Sequence, residues 1–222
     1  MPLPFPPLYA ILDVTAVDSE ARIPEMLAEN GIGLIQVRDK NASSRAVFEA
    51  SKGLVARLSP ENVRVIINDR PDIAAMVGAG GVHVGQEDLP VEEARKICGP
   101  SRWVGVSTHN LEQFRAAAAS SADYIAVGPI FSTATKANPD PVVGIEFLGA
   151  VRPLTRKPLV AIGGITIESA ESVYRAGADS IAAINDLLSS PKPALRAAEY
   201  IGIAGRVLAE RETQLDKDGE EV

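Results

Sequence analysis

Eight short runs rich in Val, Ile and Leu, each followed by a longer stretch with helical spacing, predict an α/β protein folded as a single-domain (β/α)8 TIM barrel. The chain has 222 residues, a length that suits one such barrel. No shift in composition marks a linker or a second domain. The competing arrangement is a doubly wound open sheet. It would place a Gly-rich G-x-G-x-x-G turn after the first strand, and Asp13-Val14-Thr15-Ala16-Val17 is not such a turn.

The first strand is read at residues 9–14. A helix over 18–30 follows, where Ile23, Met26 and Leu27 share a face and Asn30-Gly31 supplies the stop. Further strands are expected at 34–38, 65–68, 81–84, 103–107 and 124–128. After the fifth strand, Asn110-Leu111-Glu112-Gln113 reads as a capping box ahead of Leu111, Phe114 and Ala118. Strands at 159–163 and 180–184 complete the set, and a last helix runs from about 193 to 210. The catalytic domain is therefore expected to span 1–209, with 210–222 a charged tail that frays or is disordered.

With 46% hydrophobic and 23% charged residues, the composition is that of an ordinary soluble globular protein. Of the net charge of −7, about −4 lies from Glu210 onward. The body carries no Lys/Arg run or basic-aromatic stripe, which excludes a nucleic-acid surface. Cys98 is the single cysteine; it forms no internal disulfide, has no metal-ligand companions, and reads as a small apolar helix residue in a reducing cytosol. The segment Met1-Pro2-Leu3-Pro4-Phe5-Pro6-Pro7 lacks the features of a secretory signal, and no apolar run reaches membrane-spanning length. The expectation is a cytoplasmic protein acting on small molecules; a homo-oligomer is left open.

The unusual polar residues fall at the carboxyl ends of the strands, where barrel enzymes carry their sites. On the second strand, period-two alternation turns Gln36, Arg38 and Lys40 to one face. Two cations side by side there resist desolvation unless an anion sits between them. Asn68-Asp69 ends the third strand, Gly85-Gln86-Glu87-Asp88 follows the fourth, and Ser107-Thr108-His109 ends the fifth. The sixth runs into Thr133-Ala134-Thr135-Lys136, and Gly163-Gly164 and Ile184-Asn185-Asp186 end the last two.

Each has a plainer reading. Asp69 before Arg70-Pro71 and Asp88 before Leu89-Pro90 equally suit helix caps, the Thr133–Lys136 segment suits a polar loop, and His83 suits a satisfied structural residue. His109 is open between a structural and a proton-transfer role. Two carboxylates from adjacent strand ends, however, can share one Mg2+, which takes one or two protein carboxylates and fills its shell with water and phosphate oxygens. Gly163-Gly164 with Ile184-Asn185 fits the backbone phosphate cradle common after the seventh and eighth strands. Arg38, Lys40 and Lys136 with a carboxylate-bound cation suit a diphosphate. A monophosphate cradle facing a metal-diphosphate site implies two phosphorylated substrates and a transfer with diphosphate as leaving group. No Ser–His–Asp or Cys–His constellation favours covalent catalysis.

The segments Gln36-Val37-Arg38-Asp39-Lys40-Asn41, Asn68-Asp69-Arg70, Gly81-Val82-His83-Val84-Gly85-Gln86-Glu87-Asp88, Gly105-Val106-Ser107-Thr108-His109, Gly128-Pro129-Ile130-Phe131 with Thr133, Thr135 and Lys136, and Ile162-Gly163-Gly164-Ile165 together resemble the thiamine phosphate synthase family. The resemblance implies condensation of hydroxymethylpyrimidine diphosphate with hydroxyethylthiazole phosphate, giving thiamine phosphate and diphosphate. It implies that Gln36 faces the pyrimidine, with Arg38, Lys40, Asn68, Ser107 and Lys136 around the diphosphate. Asp69 and Asp88 would bind magnesium. Thr133 and Thr135 would contact the thiazole phosphate, with Gly164, Ile184 and Asn185 as its phosphate cradle. The family usually carries Ser where this chain has Asn185; backbone donors survive that change. The alternatives are a thiazole tautomerase on the same barrel, with His109 as proton carrier, and a catalytically silent ligand-binding barrel.

Overall fold

Among the described residues, eight parallel strands pair in chain order and the eighth pairs with the first, closing the barrel that the alternating pattern predicts. The computed structural model describes residues 5–58, 62–133 and 140–220, with the side chains of the last helix described as far as Gln214. The strands are β1 (Leu8–Leu12), β2 (Leu34–Val37), β3 (Arg64–Asn68), β4 (Gly81–Val84), β5 (Trp103–Thr108), β6 (Tyr124–Val127), β7 (Leu159–Ile162) and β8 (Ser180–Ala183). The helices are α1 (Val14–Val17), α2 (Ile23–Glu29), α3 (Ser44–Leu58), α4 (Pro71–Val77), α5 (Val91–Cys98), α6 (Leu111–Ala119), α7 (Gly144–Val151), α8 (Ile167–Arg175), α9 (Asn185–Leu188) and α10 (Pro193–Glu220). Among the described residues, no helix is long and apolar enough to cross a membrane.

Period-two alternation splits the strands between two cores, except that β4 turns only Gly81 and His83 inward. Leu8, Ala10, Ile35, Val37, Val65 and Ile67 face the helices and join the outer core. Tyr9, Ile11, Leu34, Ile66, Tyr124 and Val160 belong to a second cluster that fills the barrel interior. Phe5 stacks on Trp103 with ring centroids 5.1 Å apart, and the Arg64 guanidinium lies 3.9 Å from the Trp103 ring centroid, closing the amino-terminal end. The opposite end is left to the polar side chains.

Several boundaries differ from the sequence expectation, each for a local reason. β1 stops at Leu12 because Asp13 caps α1, accepting the Ala16 N–H at 2.7 Å. The single helix expected over 18–30 is divided: α2 begins only at Ile23, after Arg22 in the left-handed region (φ 49), because Pro24 fits a first turn and not a helix interior. β2 stops at Val37, one residue early, because Asp39 Oδ1 accepts the N–H groups of Asn41 and Ala42 at 2.9 and 3.0 Å and turns the chain. The alternation that was to align Lys40 with Gln36 therefore ends before Lys40 is reached.

The last helix continues to Glu220, beyond the stop expected near 210. Arg211 holds it there, donating to the carbonyls of Tyr174 and Ala178 at 3.1 and 2.6 Å. Beyond it, Glu212, Gln214, Leu215 and Lys217 are good helix formers.

Candidate active site

Gln36 on β2, His83 on β4 and Ser107 on β5 lie on the inward side of the barrel, and their side chains are joined through two tyrosines. Gln36 Nε2 donates to Tyr9 Oη at 2.7 Å, and the Tyr9 and Tyr124 hydroxyls are 3.0 Å apart. His83 Nδ1 lies 3.1 Å from Tyr124 Oη, and His83 Nε2 lies 2.8 Å from Ser107 Oγ. Gly105 makes room for this line: a Cβ there would lie 2.0 Å from Tyr124 Cζ and 2.4 Å from its hydroxyl oxygen. Asn68 lies directly across from His83 in the β3–β4 register. Arg38 follows the end of β2, where its N–H donates to the Leu12 carbonyl at 2.8 Å, and its charge acts on His83.

His83 is a satisfied buried residue, as its plainer reading holds. Burial pushes its imidazole down to about 4, so it is neutral at pH 7. The unfolded chain takes up this proton near the ordinary value of 6.5, whereas the folded chain does so only near 4. Stability therefore falls as pH drops from 6.5 toward 4, by roughly 3 kcal/mol. His83→Gln is expected to remove most of that slope, measured as urea midpoints across the interval; an unchanged slope would contradict the assignment.

Asp69 and Asp88 come together at the same mouth. Asp69 sits in the left-handed region (φ 61), at a cost on the order of 1 kcal/mol. Its N–H donates to the His83 carbonyl at 2.8 Å, and its Oδ2 lies 3.2 Å from Lys40 Nζ. Burial first, and then the adjacent Asp88, hold the Asp69 carboxyl above the ordinary aspartate value, while Lys40 pulls it the other way. Asp88 Oδ2 accepts the Gly85 N–H at 2.7 Å.

Neither aspartate caps the helix that follows it: the N-cap residues of α4 and α5 are Arg70 and Pro90. Arg70 instead grips Asp72 at 2.9 and 2.6 Å and Ser44 at 2.7 Å. Among the described residues, no group of three or more His, Cys, Asp or Glu could hold a metal. The donor set is thus a carboxylate pair, with Asp69 held protonation-prone by burial and then by its neighbour. Such a pair fits a hard divalent cation that completes its shell with phosphate oxygens and water.

The opposite side of the mouth is built from backbone. The Ile130 and Phe131 N–H groups donate to the Ile162 and Gly163 carbonyls at 2.9 and 3.0 Å, stitching the segment after β6 to the end of β7. Thr133 lies just past that stitch. Gly164 has φ 63, and a Cβ there would lie 2.3 Å from the Ser132 carbonyl oxygen. Ile184 is the N-cap residue of α9, whose first residue is Asn185. Asp186 is drawn toward α10: its Oδ2 accepts the Tyr200 hydroxyl at 2.9 Å and lies 3.5 Å from Arg196 Nη1. Thr135 and Lys136 lie outside the described residues.

His109 braces this region. Its Nδ1 lies 2.5 Å from the Gly128 carbonyl oxygen and its Nε2 lies 3.5 Å from Asp140 Oδ2. The box expected at the start of α6 is half formed: Asn110 accepts the Gln113 N–H at 3.0 Å, while Gln113 Oε1 accepts the His109 N–H at 2.8 Å. Sequence reading passed over Tyr9 and Tyr124 altogether. The signal that could have found them is alternation, which sets Tyr9 inward beside Gln36's strand and Tyr124 opposite Gly105, whose missing side chain leaves the space.

Residues 8–187 match the family model described as thiamine monophosphate synthase. A thiamine-phosphate synthase of Koribacter versatilis is 48% identical over 207 residues, spanning 90% of this chain and 97% of that protein. One from Azorhizobium caulinodans is 40% identical over 194 residues, spanning 86% and 92%. Among solved structures, thiamine phosphate pyrophosphorylase from Pyrococcus furiosus superposes with a TM-score of 0.81 at 32% identity, covering 91% of this chain and 96% of that one. The chain belongs to the thiamine monophosphate synthase family.

Proposed function

We propose that this chain is the transferase that joins 4-amino-2-methyl-5-(diphosphooxymethyl)pyrimidine to 4-methyl-5-(2-phosphooxyethyl)thiazole, forming thiamine phosphate and diphosphate. Membership of the family supports this reading, and one structural observation carries it. Asp69, Asp88 and Lys40 meet at a barrel mouth whose inward side bears Gln36 and Ser107.

In this reaction the bond between the pyrimidine methylene carbon and the diphosphate oxygen breaks, and its electron pair leaves on diphosphate. The ring amino group feeds density toward the carbon. The thiazole nitrogen then supplies the pair for the new C–N bond, so no base is required. The chain's task is to stabilise charge growing on the leaving group. Arg38, Lys40, Asn68, Ser107 and Lys136 are the residues assigned to that task. Asp69 and Asp88 would hold magnesium, which when bound supplies positive charge at the diphosphate oxygens. Gln36 is assigned to the pyrimidine, Thr133 and Thr135 to the thiazole phosphate, and Gly164, Ile184 and Asn185 to its phosphate group. The engagement of both His109 nitrogens supports a bracing role for it over a proton-carrying one.

The purified chain with both substrates and magnesium is expected to yield thiamine phosphate, detected by chromatography, and none when either substrate is omitted. Binding of both substrates without product would refute the reading.

A further inference from the structure

The hydrogen-bonded line through the barrel interior has a direction. Gln36 Nε2 can only donate, and it does so to Tyr9 Oη at 2.7 Å. The Tyr9 hydroxyl has one proton, and its remaining partner is Tyr124 Oη at 3.0 Å. The Tyr124 proton in turn goes to His83 Nδ1, 3.1 Å away. An imidazole accepting at Nδ1 carries its proton at Nε2, which therefore donates to Ser107 Oγ at 2.8 Å. Ser107 Oγ, already accepting, keeps its own proton for a group in the mouth. Tyr9, Tyr124, Gln36 and His83 are 1, 0, 2 and 7% exposed, so water does not interrupt the series.

We propose that Tyr9, Tyr124 and His83 are positioning residues forming a polarised relay, which fixes the Gln36 amide and makes the Ser107 hydroxyl an outward donor. The proposal rests on the assignment of Gln36 to the pyrimidine and Ser107 to the departing diphosphate. With Nε2 turned to Tyr9, the Gln36 carbonyl oxygen is presented to the ligand and accepts from the ring's amino group. The same sense leaves the Ser107 proton free to donate to a diphosphate oxygen. A 4-oxo ring presents an acceptor where the amino ring presents a donor. It would favour the flipped amide, reverse every bond in the series, and turn the Ser107 proton inward. Reading the base and stabilising the leaving group are thus two ends of one arrangement.

The test uses the full chain and its Tyr9→Phe, Tyr124→Phe and double variants, with Gln36→Ala and Ser107→Ala alongside. Dissociation constants are measured by calorimetry for the 4-amino and 4-oxo pyrimidine diphosphates, and kcat and KM for the natural pair. Each Phe variant is expected to shrink the preference for the amino ring at least about tenfold and lower kcat by about tenfold, because one link of the series is lost. The KM for thiazole phosphate is expected to stay unchanged. The double variant should cost no more than the larger single one, the non-additivity of a shared network. A purely structural role would lower the melting temperature and leave the amino/oxo ratio intact.

An unchanged ratio in both Phe variants, with Gln36→Ala impaired, would overturn the relay alone. Wild-type behaviour of Gln36→Ala and Ser107→Ala would overturn the site assignment, and the relay with it. Nitrogen-15 NMR of His83 in the wild-type complex with the amino substrate needs no variant to fold. The relay requires the Nε2–H tautomer, and the Nδ1–H tautomer would overturn it.

Discussion

Asp88→Asn is expected to lower kcat at least about a hundredfold, the usual cost of losing a preorganised charge at a leaving group. It is expected to leave the melting temperature of the metal-free protein unchanged or higher. The two outcomes separate because the proposed assignment has the carboxylate serve function at some expense to the fold. Asparagine keeps an oxygen that can accept the Gly85 N–H, the 2.7 Å contact that shapes the turn after β4. What it removes is the charge that, after burial, raises the Asp69 carboxyl.

A carboxyl raised in the folded state binds its proton more tightly there than in the unfolded chain. Stability contributed by that proton is present below the ordinary value of 3.8 and is lost as pH rises through the raised folded value. Asp88→Asn should shrink that loss, and magnesium should shrink it in the wild type; melting curves across the interval read both. A variant with wild-type turnover would remove Asp88 from the site.

Gly164→Ala is expected to raise the KM for thiazole phosphate about thirtyfold, while affinity for the pyrimidine diphosphate stays near that of the wild type. The residue has φ 63, and its new Cβ would meet the Ser132 carbonyl oxygen at 2.3 Å and Phe131 Cβ at 2.9 Å. The nearest of these is a backbone atom, so the backbone of that segment must shift. Losing one charge-assisted hydrogen bond to the phosphate costs about 2 kcal/mol, which sets the factor. Steady-state kinetics with each substrate varied in turn measure the split. An equal loss toward both substrates would place Gly164 outside the phosphate cradle.

The barrel was legible because eight Val/Ile/Leu-rich runs, each followed by a stretch with helical spacing, repeat one local rule, and the closed sheet obeys it. Asp69 and Asp88 were legible as a pair because strand order alone places consecutive strand ends side by side. What alternation could not show is where a strand gives out. Lys40 reaches the site through its ion pair with Asp69, after the Asp39 turn has already broken the strand. Tyr9 and Tyr124 were passed over because an interior tyrosine reads as core in a sequence. Their hydroxyls acquire meaning only when residues 115 positions apart stand 3.0 Å from each other. The end of the last helix was missed for a similar reason: Arg211 looks like tail charge until the Tyr174 and Ala178 carbonyls are found beside it.

The proposed reaction has this mouth expel diphosphate while the bond to the thiazole forms. It is tested most directly by quantifying thiamine phosphate and diphosphate together, from the full chain with both substrates, over a range of magnesium concentrations. The two products are expected in equal amounts at every time point, rising with magnesium and abolished by a chelator. Conversion of the thiazole phosphate alone, or diphosphate release without thiamine phosphate, would contradict it.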